Sequence, residues 1–137
     1  MQDRPTVDEL LEAVAGFLHN DVMPNTSGRL SFHARVAGNV IEMLRRELSS
    51  EEGLNTREWA GLDVLLGAEP LPSSLARVRE RLLSRNQSLA ERIRGGDADG
   101  GPFRDQVLAH LRTTTHDKLT VSNPRLAEEG ATLRGEA

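Results

Sequence analysis

The sequence predicts an all-α protein, an antiparallel bundle of about five helices, and three observations predict it. Apolar residues recur at every third or fourth position through most of the chain, the spacing that lines one face of an α-helix. Aromatic residues make up only 3 % of the chain, with no Tyr and one Trp, so Leu, Val and Ala have to build the core. Sheets favour aromatic and β-branched side chains, and no run of alternating apolar and polar residues competes with the helical pattern.

Thr6-Val7-Asp8-Glu9 has the residue types of a capping box. Val7, Leu10, Leu11, Val14, Phe17 and Leu18 follow at helical spacing, so the first helix is expected to reach about Asp21, before a loop at Pro24. The second helix is expected from about Gly28 to Ser49. Leu30, Val36, Ala37, Val40, Ile41, Leu44 and Leu48 fall on one arc when residues advance by about 100° each, with Phe32 and Met43 at its edge. Gly53 is read as its end, and Asn55-Thr56-Arg57-Glu58 as the cap of a short helix carrying Trp59, Leu62, Leu65 and Leu66 to Gly67. From Ser74 to Gly95 the pattern Leu75, Val78, Leu82, Leu89, Ile93 fits one helix or two, because Ser88-Leu89-Ala90-Glu91 is a second capping box. Gly95 to Gly101 is a glycine-rich connector, Pro102 suits the first position of the last helix, and Asn123-Pro124 ends it. Residues 1–125 are expected to form a single helical domain and residues 126–137 a frayed tail. Leu10, Leu11, Val14, Val40, Leu44, Leu108 and Leu111 are the expected shared core.

Composition narrows the function. A net charge of −4 argues against nucleic acid, whose phosphates call for a concentrated basic surface. With no cysteine, disulfides, thiolate zinc sites and thiol nucleophiles are excluded. No apolar run approaches the roughly 20 residues that span a bilayer, and the first residues lack a signal-peptide core, so a cytoplasmic protein is expected.

Candidate chemistry is sparse. The acidic series in the glycine connector stops after Asp99, short of a calcium loop, and no Lys-Ser/Thr ending marks a phosphate loop. No two of His19, His33, His110 and His116 share the three- or four-residue spacing of metal ligands, and about 10 Å of helix separates His110 from Asp117. No metal, cofactor or catalytic residue is expected, and the chain is read as no enzyme. His33 lies within the apolar arc of the second helix and is expected to be a buried, hydrogen-bonded histidine. On the opposite arc Arg35, Asn39, Glu42 and Arg46 form a polar stripe. The residues alone favour a solvated helix face here; the alternative is a docking stripe, since guanidinium groups aligned in this way suit a carboxylate, a phosphate or an acidic partner.

The stretch Gly28-Arg29-Leu30-Ser31-Phe32-His33-Ala34-Arg35-Val36-Ala37-Gly38-Asn39-Val40, with Arg45-Arg46-Glu47-Leu48, resembles a family of small, functionally uncharacterised bacterial proteins. So do Arg4-Pro5-Thr6 with Leu10-Leu11, and Asp117 to Arg125. The resemblance spans most of Arg4 to Arg125 and is weakest from Leu54 to Arg85. Members of that family are typically encoded beside an aminoglycoside-phosphotransferase-like kinase and an acyl-CoA dehydrogenase. The resemblance implies a non-catalytic accessory subunit of that kinase, acting in hydroxyacyl-CoA catabolism. The residues it carries over are Arg29, Phe32, His33, Arg35, Asn39, Arg46, Lys118, Asn123 and Arg125. Phe32 is expected to pack and Asn123 to cap or turn, while Arg35, Asn39, Arg46, His33, Lys118 and Arg125 are the expected partner contacts. A small-molecule binder holding an acyl or CoA moiety between helices is the alternative, and self-association is left open. Gly38, costly within a helix, is read as the site of a close helix crossing.

Overall fold

A computed structural model describes residues 3–132. Five α-helices make up the fold, with no strand among the described residues: α1 (Val7–Gly16), α2 (Gly28–Leu66), α3 (Leu75–Arg94), α4 (Gly101–Ser122) and α5 (Pro124–Thr132). They gather into two compact units, Met1–Ser50 and Glu51–Ala137, and α2 belongs to both. No helix among the described residues is long and apolar enough to cross a membrane.

In the first unit the capping box forms as its residues imply. The Thr6 hydroxyl accepts from the Glu9 amide at 3.2 Å, and the Glu9 carboxylate accepts from the Thr6 amide at 2.6 Å. Past Gly16 the helix widens into a π turn over Phe17–Val22 before the chain reverses at Pro24. The hairpin closes on small residues. Ala15 of α1 and Ala34 and Gly38 of α2 are its buried positions, with the His19 ring lying where a Gly38 Cβ would project. Gly38 therefore marks a close helix approach, as its cost implies. At the far end Arg45 forks onto Asp8 at 2.8 and 3.0 Å, which runs the two helices antiparallel. That bond holds the Asp8 carboxyl below its ordinary pKa and raises the Arg45 guanidinium.

This seam is not the one expected. Ala34, Gly38, Ile41 and Arg45 line it, about a quarter turn from the centre of the apolar arc. Leu10, Val14, Val40 and Leu44, expected in the core, consequently remain about half exposed, as do Val7, Leu30, Val36 and Leu48, and Phe17 keeps 57 % of its surface in solvent. Leu111 in the second unit is exposed as well.

α2 does not stop at Gly53. It runs unbroken for 39 residues, merging the two helices expected over this stretch. The Ser49 and Ser50 hydroxyls bond back to the Arg46 carbonyl, and Thr56 to that of Glu52, so these polar residues complement the helix rather than cap its end. Glycine inside a helix costs about 1 kcal/mol, too little to break one anchored beyond it. The anchor is the core of the second unit: Trp59, Leu62 and Leu65 of α2, Val78, Leu82 and Leu89 of α3, and Val107 of α4, with Leu62 fully buried.

Two arginines of α3 terminate α2. Helix C-termini leave carbonyls without partners, and a cation there complements the helix dipole. Arg92 donates to the Leu65 carbonyl at 2.8 Å and stacks 4.1 Å over Phe103. Arg85, only 2 % exposed, donates to the Gly67 carbonyl at 2.8 Å and to Asp63 at 2.7 Å, 4.7 Å over the Trp59 ring. With Arg85 held inside, α3 is one continuous helix through Ser88. The tail expected from residue 126 is helical to Thr132: Asn123 accepts from the Leu126 amide at 3.3 Å, capping α5, and Ala127 is buried. Residues 133–137 of that tail lie outside the described residues.

Candidate interaction surface

The quarter-turn offset gives the N-terminal hairpin two unlike flanks. On α2, positions to one side of the seam are Leu30, Ala37, Leu44, Val40 and Val36, and positions to the other are Glu42, Arg35, Arg46 and Asn39. On α1 the corresponding sides carry Val7, Leu10, Val14 and Phe17 against Glu9, Glu12 and Asn20. In an antiparallel pair, equal offsets from the seam fall on the same side of the hairpin. The two apolar sides therefore merge into one surface, and the two polar sides into another.

The polar flank contains three of the expected partner residues. Arg35 is exposed, its guanidinium 5.6 Å from the Phe32 ring, and both border a hollow of about 210 Å³ with Met23, Gly28 and Ser31. Asn39 is exposed one turn on, and Arg46 is half-buried. Glu42 between them faces Arg45 at 3.2 Å. Phe32, expected to pack, is half exposed and meets the His33 ring edge-on at 5.5 Å.

His33, expected to be buried, is exposed and accepts from the Arg29 Nε at 3.1 Å. The physical reason is again the seam: the middle of the apolar arc faces outward, so a residue there reaches solvent. Lys118 and Arg125 lie in the second unit. The Lys118 ammonium is 3.9 Å from Glu58, and Arg125 reaches Glu129 one turn along α5 at 2.9 Å.

The second unit holds a buried histidine, His110, whose burial the spacing of the four histidines did not reveal. The His110 ring of α4 packs where a Gly61 Cβ would project, as the His19 ring does at Gly38. Its Nε2 has no hydrogen-bond partner among the described residues, and burial lowers its pKa, partly offset by the Glu58 carboxylate and reinforced by Lys118. Gly61, midway along an otherwise amphipathic segment, was the available signal. Asp117, one face of α4 farther on, is buried and takes a 2.7 Å bond from Arg57. Glu51 is likewise buried, its carboxyl held below the ordinary range by the Arg79 guanidinium. Each acid thus balances an arginine. No group of three or more metal-ligating side chains converges among the described residues. An apolar cleft of about 250 Å³, lined by Leu108, Leu111, His116, Leu119 and Leu126, opens between α4 and α5, below the size of ordinary small-molecule pockets.

The fold and surface together define an all-helical protein whose N-terminal hairpin is amphipathic across its width. A family model, DUF6285, a domain of unknown function, matches residues 24–126, and the chain belongs to that family. The match takes in α2, α3, α4 and the first residues of α5, with the stretches 28–48 and 117–125 inside it, and leaves α1 outside. No curated protein and no solved structure matches the chain.

Proposed function

We propose that this protein is a non-catalytic interaction subunit, serving an aminoglycoside-phosphotransferase-like kinase in hydroxyacyl-CoA catabolism. One observation carries the reading of an interaction subunit: the first unit turns most of its large apolar side chains outward, while the second packs Trp59, Leu62, Leu65, Val78, Leu82, Leu89 and Val107 into one core. Contiguous apolar surface of this kind marks sites of association. The kinase itself is supported by the resemblance of residues 28–48 and 117–125 to proteins encoded beside such kinases.

In this reading the polar flank receives the kinase. Arg35, Asn39 and Arg46 suit an acidic surface on that partner, with His33, Lys118 and Arg125 as further contacts. The test is co-purification of the tagged protein with the kinase encoded next to it. Arg35→Ala should weaken the complex by about 2–5 kcal/mol if its guanidinium is desolvated against a carboxylate, while the melting temperature stays put. Unchanged capture by Arg35→Ala and Asn39→Ala variants would remove the polar flank from the interface. No capture of the kinase by the wild-type protein would end the kinase reading.

A further inference from the structure

We infer that the apolar flank of the α1–α2 hairpin is covered by the same flank of a second copy of this chain. The inference rests on the reading of the chain as an interaction subunit and names the occupant of its apolar surface.

The exposed apolar area matches what a dimer needs. Val7, Leu10, Val14, Val40, Leu44 and their neighbours each leave about half their surface open. Together they offer on the order of 800 Å² of apolar surface, close to what each partner gives up in a standard interface. A pair of helices whose fully buried positions are alanine and glycine has little core of its own. Two such pairs, face to face, make a four-helix arrangement with one.

The charges along the flank are self-complementary. Along α2 the apolar flank is interrupted by base at one end, Arg29 and His33, and by acid at the other, Glu47. His33 lies seven residues before Val40 and Glu47 seven residues after it. A two-fold axis crossing α2 at Val40 sets the two α2 helices antiparallel. It brings Glu47 of each copy opposite the Arg29–His33 pair of the other and Val36 opposite Leu44. Such an isologous contact is self-complementary in both apolar surface and charge. A parallel arrangement of the two α2 helices would place like charges together.

Light scattering after size exclusion, at tens of micromolar, reads the result. The wild-type chain of 15.0 kDa should run at twice that mass. Leu44→Glu and Val14→Glu, on different helices and at sites open to solvent in one copy, should run as monomers with unchanged circular dichroism. Asn39→Glu, on the polar flank, should remain dimeric. Val40→Thr, nearly isosteric, should raise the dissociation constant severalfold. Because the chain has no cysteine, Val40→Cys supplies a single thiol, and oxidation should link two copies through it, whereas Asn39→Cys should not link.

A wild-type monomer, or a dimer indifferent to both charge substitutions, overturns the inference. A dimer lost on Leu44→Glu but unlinked by Val40→Cys overturns the antiparallel pairing. A monomer that still captures the kinase sinks the second copy and leaves the interaction reading standing. A dimer that captures no kinase does the reverse.

Discussion

Both units of this protein seat a histidine ring on a glycine of the same helix, yet one unit also holds a hydrophobic core and the other does not. At Gly61 the His110 ring packs in a unit where α2, α3 and α4 all contribute buried apolar side chains. At Gly38 the His19 ring closes a two-helix hairpin most of whose large apolar residues face away from the seam. A close helix approach and a hydrophobic core are thus separable. Glycine and alanine let two backbones come together, but they exclude little apolar surface from water, and it is that exclusion which stabilises a fold.

The largest effect expected from this contrast is at Leu62. Leu62→Ala should cost about 2–5 kcal/mol in chemical denaturation, because its neighbours cannot collapse onto a site enclosed by three helices. A loss below about 1 kcal/mol would erase the distinction between the units. Next come the two glycines. Gly61→Ala and Gly38→Ala each push a methyl group into an imidazole ring, and each should cost about 1–3 kcal/mol as overpacking outweighs the better helix propensity of alanine. If Gly38→Ala proved neutral, the hairpin seam would be yielding where the core is not, and the comparison would sharpen. Smaller still is Leu44→Ala. In protein dilute enough to be monomeric it should cost about 1 kcal/mol or less, since half of that side chain is already in water.

The smallest effect is that of pH. Burial sets the His110 pKa below its ordinary value of 6.5, so the unfolded chain takes up this proton first. Above pH 6.5 the group is neutral in both states and adds nothing to the pH dependence. As pH falls through 6.5 toward the lower folded value, stability should decline gently. Urea melts at pH 7.5 and 5.5 check this, and His110→Gln should flatten the difference. An unchanged slope in that variant would assign the decline to other groups.

The helices were legible because their signals are local. Thr6 and Glu9, Pro102, and Asn123 before Pro124 each act within a turn of the boundary they set; the first and last stand where the sequence places them, and α4 starts one residue ahead of Pro102. The break at Gly53 was misread for the complementary reason. A glycine and a run of serines weaken a helix locally, but Trp59 and Leu62 hold α2 in place from a core completed by Val78, Leu82 and Leu89 of α3 and Val107 of α4, far downstream in the chain. The candidate surface was half legible. Periodicity separated Arg35, Asn39 and Arg46 from Val40 and Leu44, as the two flanks do. It could not say that the seam runs between them at Ala34 and Gly38, so His33 and Leu44 were assigned an interior they do not occupy. A small residue on the shoulder of an apolar arc was the only local clue, and it is ambiguous until the opposing helix is known.

One further consequence follows from the unbroken course of α2. Its 39 residues share one ladder of hydrogen bonds but not one resistance to opening. Amide hydrogens from Leu54 to Leu66 can exchange only when the Trp59–Leu62 core comes apart, whereas those from Gly28 to Leu48 need only the hairpin to part. Exchange with deuterium should therefore change abruptly within a single helix, across the serines and Gly53. If a second copy covers the hairpin, protection on the N-terminal side of that step should rise with protein concentration, while protection on the other side stays fixed.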